Sequence, residues 1–175
     1  GKYCFRHSLR PWIFLPVTLF ALVFRPIAPN AKWWREIGRR FINAKMVKKY
    51  APGFIAEHKL NRFGWAAERV AAERAAGNTV ILISASPNYL LRPLVADMAF
   101  DAVICSEMYA DKPWKYHFLC YHKNKVVALN KWAAKNKIAP HIVRSYSDSK
   151  SDLPIMELAA ERVWIDRKTG GRIEK

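Results

Sequence analysis

The sequence predicts an α/β fold built on a parallel sheet, and three observations support this class. The second half of the chain alternates short β-branched segments with helical ones. Residues 79–83 form a short β-branched run with no polar alternation, as is typical of a strand buried on both faces of a parallel sheet. Polar residues gather directly after the strand-like segments. We therefore expect an open sheet whose ligands bind at the carboxyl ends of its strands.

Composition and charge narrow the class of protein. The chain has 175 residues, 51% of them hydrophobic and 25% charged, which is enough for one domain with a core and excludes a disordered or collagen-like chain. The net charge is +16, and the first 75 residues hold 15 basic and 4 acidic side chains. Such a surplus attracts nucleic acid, anionic membranes or phosphorylated small molecules. The basic residues are scattered and form no nucleic-acid-binding motif, which argues against nucleic acid.

The cysteines bear on the cellular compartment. Cys4, Cys105 and Cys120 are odd in number and have no metal-ligand spacing. A disulfide framework is therefore not expected, and a reducing, cytoplasmic location is predicted.

The first 76 residues are predicted to form a helical region. Residues 12–24 are an uncharged run of thirteen, shorter than the roughly 20 apolar residues that a membrane-spanning helix needs. No signal-peptide cleavage site follows the run. It can be a buried helix or a helix in the membrane interface. Tryptophans and basic residues follow at 32–40, so residues 12–40 are a candidate for peripheral contact with the inner face of the cytoplasmic membrane.

The rest of the chain is assigned in order. Pro52 to Gly77 has a helical pattern, with Gly77 suited to the left-handed residue that ends a helix. The stretch between Glu107 and Cys120 predicts a hairpin. The remaining predicted elements are a strand at 79–83, a helix at 86–98, a strand at 102–105, a helix at 123–135, a strand at 141–146, a helix at 152–160 and a strand at 163–165.

Residues after the first and third of these strands share a chemistry. Ser84, Ala85 and Ser86 precede a helix, where hydroxyl groups and free backbone N–H groups can hold a phosphate. Asp148 and Asp152 lie four residues apart and can supply oxygen ligands to Mg²⁺.

Lys125 completes this set. It lies near the start of a helix, from which its ammonium group can reach a phosphoryl oxygen. Serine, lysine and carboxylate-held magnesium together indicate phosphoryl transfer. Each residue also has a structural interpretation: the serines as helix caps, Lys125 as a solvated lysine, and the aspartates as turn and cap residues. The ordered combination favours a site.

Three segments resemble the haloacid dehalogenase (HAD) superfamily. ILISASP, CYHKNKVVAL and SYSDSKSDLPIMELA are similar to its second, third and fourth motifs, in the branch like phosphoserine phosphatase. The resemblance implies a Rossmannoid three-layer sandwich with a parallel sheet, a helical cap at residues 1–76 and an α/β core at 77–175. It also implies a Mg²⁺-dependent phosphomonoester phosphatase that works through an aspartyl-phosphate intermediate.

The resemblance implies a role for each site residue. Ser84 binds the transferring phosphoryl group, with help from Ser86 and the backbone of Ala85. Lys125 neutralises the phosphoryl group and the intermediate. The two acidic residues act at the metal: the first, at position 148, ligates Mg²⁺, and the second, at position 152, supports that site.

The chain departs from the family pattern in two places. His122 stands where relatives usually have glycine. The Asp-x-Asp-Gly-Thr segment, whose aspartates attack phosphorus and protonate the leaving group, does not occur in these 175 residues. The spacing from Gly1 to Ser8 resembles the run after that Gly, so we expect the chain to begin within the first motif. As given, it is then expected to be inactive; a catalytically dead protein, or a basic module for anionic lipid or nucleic acid, is the alternative.

The amino-terminal region also bears on the substrate. The apolar run 12–24 and the basic stretch after it resemble bacterial phosphatidylglycerophosphate phosphatases of the superfamily. This implies a phospholipid headgroup as substrate at an anionic membrane. Phosphoserine or another soluble phosphomonoester is the competing expectation.

Overall fold

The computed structural model describes residues 44–60, 62–113 and 115–173. They fall into two compact units, residues 44–60 with 108–116, and residues 62–107 with 117–173. The helices are α1 (Ala44–Leu60), α2 (Trp65–Ala75), α3 (Asn88–Leu94), α4 (Lys123–Lys135) and α5 (Leu153–Met156), with a 3₁₀ turn (Lys150–Asp152) before α5. The strands are β1 (Ile81–Pro87), β2 (Ala102–Met108), β3 (Tyr116–Phe118), β4 (Ile142–Ser147), β5 (Ala159–Ile165) and β6 (Arg172–Ile173).

The strands form two sheets of three strands each, in the orders β1-β2-β3 and β4-β5-β6. Strand β1 is parallel to β2, β4 is parallel to β5, and β6 is antiparallel to β5. The predicted α/β class with parallel strands is therefore confirmed. One open sheet was expected, whereas the described residues form two, because no described strand joins β1 to β4.

The helical region before β1 is divided into α1 and α2. Helix α2 ends at the predicted glycine: Gly77 has φ +81°, which glycine adopts without strain. Its N–H donates to the carbonyl of Arg74 at 2.9 Å, and the N–H of Asn78 donates to the carbonyl of Glu73 at 3.0 Å. These two bonds are those of a Schellman motif, so the end of the helix is set by local sequence.

Element boundaries differ most from prediction around α3 and α5. Helix α3 stops at Leu94, four residues earlier than predicted, and Pro93 removes a backbone donor from its last turn. The helix predicted at 152–160 is reduced to the 3₁₀ turn and α5, because Ala159 already pairs with Ile142 in the β4–β5 ladder. Helix α4 has the predicted bounds.

The core of the second unit lies between the β1–β2 pair and α3. Leu91, Val95 and Cys105 are buried there, and half-buried apolar side chains pack around them. Met156 and Cys120 are fully buried elsewhere in the same unit. The two described cysteines, Cys105 and Cys120, are free thiols.

Gly170 provides a test of packing between the turn that joins β5 to β6 and the start of α2. It has φ +73°, a Cβ added to it would lie 2.5 Å from Cδ1 of Phe63, and its carbonyl accepts a hydrogen bond from Nε1 of Trp65 at 2.9 Å. We expect Gly170→Ala to lower the free energy of unfolding by about 1–3 kcal/mol in urea denaturation. Gly64→Ala is the control: Gly64 has φ −56° and open space around its Cα. A change within about 0.5 kcal/mol is expected there, and equal losses in both variants would contradict this account.

Two predictions lie outside the described residues. The apolar run 12–24 and the basic stretch to residue 40 belong to the part of the chain for which no structure is given, so membrane contact stays a prediction. Within residues 44–173, apart from the gaps, no helix is long and apolar enough to cross a membrane. The boundary between cap and core at residue 76 also stays a prediction; α2 groups with the second compact unit.

Candidate active site

A buried ion pair joins α4 to the residues after β4. The Nζ atom of Lys125 lies 2.7 Å from Oδ1 of Asp152, and the two side chains are only 7% and 16% exposed. This burial excludes the interpretation of Lys125 as a solvated surface lysine. Removing two charges from water is costly, so such a pair persists only where good geometry and further hydrogen bonds compensate.

Hydroxyl groups supply those further hydrogen bonds to Asp152. The Oγ of Ser147 donates to its Oδ2 at 2.9 Å, and the Oγ of Ser151 lies 3.3 Å from Oδ1. Ser147 Oγ also accepts from the backbone N–H of Ser149 at 3.0 Å. Asp152 precedes α5, but no side-chain bond caps that helix. Its carboxylate therefore serves the buried pair and not the helix end.

Asp148, the predicted Mg²⁺ ligand, is directed elsewhere. Its Oδ2 accepts a hydrogen bond from Nε of Arg167 at 2.8 Å, near the surface. Among the described residues, no group of three or more ligating side chains is gathered for a metal. The donor chemistry of Asp148 with Asp152 does fit Mg²⁺, which commonly takes one or two carboxylates and completes its shell with water and phosphate oxygens. Binding at Asp148 would require Arg167 to release the carboxylate.

The predicted phosphate-binding residues lie at a break in the β1–β2 ladder. Ser84 pairs with Cys105 and Pro87 pairs with Ser106, so the two residues between them on β1 have no partner residue on β2. Such bulges are frequent beside active sites, where they redirect backbone and side chains. The break therefore frees the chain at the position that sequence analysis assigned to a phosphate.

Neither predicted serine acts as a helix cap. The Oγ of Ser84 accepts a hydrogen bond from the backbone N–H of Ser86 at 3.1 Å and closes a tight turn. Pro87 occupies the position before α3, and no side chain caps that helix. Ser86 is exposed and Ser84 is half-buried, so this turn is open to a ligand. We call residues 84–86 the phosphate turn.

A buried hydroxyl links the phosphate turn to the loop that leads into α4. Ser106 is fully buried, and its Oγ donates to the carbonyl of Ala85 at 2.8 Å and accepts from the N–H of Cys120 at 3.0 Å. Burial raises the pKa of the Cys120 thiol to about 11, while the ammonium group of Lys125 acts in the opposite direction. The end of β1 and the start of α4 are thus connected through one side chain.

Among the predicted site residues in the described part of the chain, direct polar contacts join Lys125 to Asp152 and, within the phosphate turn, Ser84 to Ser86. The phosphate turn reaches α4 indirectly, and Asp148 pairs outside the set. Sequence reasoning missed Ser106 and Ser147. Ser147 could have been found as the last polar residue of a strand, whereas nothing in the spacing distinguished Ser106. The catalytic and ligand roles of the predicted residues stay predictions.

His122, the departure from glycine, has a glycine-like backbone. It precedes α4 with φ 51° and ψ −127°, a combination that side chains other than glycine adopt only under strain. Position 122 therefore has a backbone conformation that favours glycine, although the residue there is histidine.

We expect His122→Gly to raise the free energy of unfolding by about 1 kcal/mol. Relief of backbone strain is worth about 1–3 kcal/mol, and the greater freedom of glycine in the unfolded chain costs roughly 0.5–1 kcal/mol. Urea denaturation measures the change. The neighbouring Lys123→Gly, at an exposed helical position, is the matched control and is expected to lose about 0.5–1 kcal/mol. A loss of stability in both variants would contradict the strain at His122.

Comparisons with known proteins define the class. Residues 17–157 match the haloacid dehalogenase-like hydrolases, and the chain belongs to this family. The predicted HAD-like α/β fold is thereby confirmed, while the branch within the family and the substrate stay predictions.

Three individual proteins that resemble this chain share 28% sequence identity or less with it over the aligned residues. Two proteins of Mycobacterium tuberculosis, one named a probable phosphatase and the other uncharacterized, are each 28% identical over 116 residues, which is 64% of this chain. The chain spans about 40% of the length of these curated relatives. A crystal structure of a protein with unknown function from Bordetella pertussis Tohama I has a TM-score of 0.62 at 18% identity, over 76% of this chain and 65% of that one. That likeness supports the fold.

Proposed function

We propose that the chain is part of a phosphomonoester phosphatase of the HAD type. The observation that carries the proposal is the buried pair of Lys125 with Asp152, 2.7 Å apart and bonded by neighbouring hydroxyl groups. A cation fixed in place before substrate arrives can stabilise the negative charge of a transferring phosphoryl group without reorganisation. A relative named a probable phosphatase supports the same class.

In this proposal the residues of the chain bind and orient the phosphoryl group. The phosphate turn offers hydroxyl and backbone N–H groups to its oxygens, and Lys125 neutralises its charge. Asp152 holds the Lys125 side chain in position, and Asp148 would hold Mg²⁺. When bound, Mg²⁺ would supply further charge neutralisation at the phosphoryl oxygens. The aspartates that attack phosphorus and protonate the leaving group would come from a segment outside these 175 residues, giving an aspartyl-phosphate intermediate.

The decisive experiment uses a chain extended upstream to include an Asp-x-Asp segment. Release of inorganic phosphate is measured over a panel of phosphomonoesters, with and without Mg²⁺. We expect Mg²⁺-dependent release by the extended chain and none by residues 1–175 alone. If the extended chain releases no phosphate from any ester, the phosphatase proposal is wrong, and a non-catalytic protein that binds anionic ligands takes its place.

The substrate that we propose is a phospholipid headgroup such as that of phosphatidylglycerophosphate. The strong positive charge would concentrate the protein at an anionic membrane. Tryptophan side chains favour the membrane interface, and Trp33 with Trp34 lie among basic residues.

We expect the double variant Trp33→Ala/Trp34→Ala to co-sediment less with phosphatidylglycerol vesicles than the unchanged chain. Several-fold weaker partitioning is expected, because both interfacial anchors are lost. Vesicles of neutral phosphatidylcholine are the control and should bind both proteins weakly. Unchanged partitioning of the variant would contradict membrane contact and favour a soluble phosphomonoester such as phosphoserine.

A further inference from the structure

The phosphate turn and the loop before α4 have irregular backbone, and one hydroxyl group forms a hydrogen bond with each of them. We propose that Ser106 is a positioning residue: its buried Oγ, 2.8 Å from the carbonyl oxygen of Ala85 and 3.0 Å from the backbone nitrogen of Cys120, holds the phosphate turn and the loop leading to Lys125 in one arrangement. The choice of phosphate as the ligand rests on the proposed function, whereas the hydrogen-bonded link between the two loops does not.

The bulge explains why a side chain is needed at this place. Ala85 lies in the break between Ser84 and Pro87, where it has no partner residue on β2. The hydroxyl of Ser106 donates to the carbonyl of Ala85 there. A hydroxyl group donates once and accepts up to twice, so the same atom can also accept from the N–H of Cys120. Ser106 is 0% exposed, so both bonds lie out of contact with bulk solvent.

Glu107, which follows Ser106 on β2, forms hydrogen bonds on the other face of the strand, to the helix after the phosphate turn. The carboxylate of Glu107 accepts a hydrogen bond from Nδ2 of Asn88 at 2.6 Å and pairs with the guanidinium of Arg92 at 2.7 Å. Both partners lie on α3, directly after the phosphate turn. Successive residues of a strand point to opposite faces of the sheet. Ser106 and Glu107 therefore hold the turn and the start of α3 from two directions, and Ser106 alone extends the connection to Cys120.

This arrangement has a consequence for ligand binding. Ser106 has no surface through which to touch a phosphate, so its effect passes through Ala85 and Cys120 to the groups on either side. A phosphate that contacts the phosphate turn and Lys125 at the same time needs both groups at the right positions relative to each other. A small displacement of either group weakens the combined interaction. The affinity for phosphate should therefore depend on a hydroxyl group that lies outside the binding surface.

The test compares Ser106→Ala with Ser106→Thr, which keeps the hydroxyl, and with Val95→Ala. Val95 belongs to the core cluster around α3, so its truncation reproduces a loss of stability with both bonds of Ser106 intact. Two quantities are measured on each folded protein: the hydrogen exchange rate of the Cys120 amide without ligand, and the dissociation constant for inorganic phosphate. For Ser106→Ala we expect each to rise about tenfold, the size of effect that loss of a buried hydrogen bond produces. In Ser106→Thr and in Val95→Ala, the exchange rate and the dissociation constant should each stay within about threefold of the values for the unchanged protein.

If Ser106→Ala does not fold, Ser106→Cys keeps the volume and a weak donor, and an intermediate effect on both quantities is expected. Equal changes in Ser106→Ala and Val95→Ala would show that the hydroxyl contributes stability alone, and the inference would be overturned. If the unchanged protein binds no phosphate and the extended chain releases none, it is the proposed function that fails. In that event the exchange rate decides: faster exchange at Cys120 in the alanine variant, restored by threonine, supports the link between the loops, and an unchanged rate rejects it.

Discussion

Lys125→Ala should reduce the rate of phosphate release by the extended chain by about 100-fold or more, the size of effect expected when one electrostatic stabiliser is removed. The same substitution should lower the free energy of unfolding by about 3–5 kcal/mol, because Asp152 would keep a nearly buried carboxylate without its cation. Phosphate release assays and urea denaturation measure the two effects separately.

Two controls separate the charge from the side chain itself. Lys131→Ala removes an exposed lysine from the same helix, and we expect stability within about 0.5 kcal/mol of the unchanged protein and an unchanged rate. The double variant Lys125→Met/Asp152→Asn removes both charges and keeps an oxygen for the hydroxyl of Ser147, so most of the stability should return while activity does not. A double variant as unstable as Lys125→Ala would contradict the assignment of this loss to an unpaired carboxylate.

Met156→Ala should cost about 2–5 kcal/mol of unfolding free energy, the range for truncating a fully buried side chain of this size. Met156 is 0% exposed and is among the largest fully buried side chains of the described residues. It lies on the short helix α5, four residues after Asp152. Because the packing of α5 anchors that end of the site, we also expect weaker binding of inorganic phosphate by the variant.

Leu158→Ala is the matched control for Met156→Ala. Leu158 lies two residues after the end of α5 and is 49% exposed, so its truncation should cost less than about 1 kcal/mol. Comparable losses at both positions, measured by urea denaturation, would mean that α5 is not anchored through Met156.

The sequence predicted the elements that local chemistry decides. Helix α4 has the predicted bounds, and Gly77 ends α2 as expected. Residues 159 and 160 were predicted to be helical, and the Ala-Ala-Glu-Arg segment 159–162 consists of good helix formers, yet all four residues lie in β5. Their pairing with β4 supplies a ladder that the helix would forgo. Long-range pairing overrode local propensity there, and no feature of the segment itself announced it.

The candidate site could likewise be predicted only in part, because several of its contacts depend on tertiary structure. Lys125 and Asp152 were singled out by their order and type, and their contact is in the structure. The bond of Ser106 to Ala85 depends on a register shift between β1 and β2, which a sequence does not specify. The pairing of Asp148 with Arg167 likewise joins residues from different turns. Contacts that depend on how distant strands and loops are aligned could therefore not be predicted from motifs and residue spacing.

The burial of Cys120 has a chemical consequence. A thiol reacts with alkylating agents and oxidants as its thiolate, and with a pKa near 11 Cys120 holds almost none at neutral pH. Iodoacetamide should therefore modify this sulfur only when the loop before α4 opens. Its labelling rate thus reports, from a thiol that the chain already contains, how often the structure around Lys125 opens.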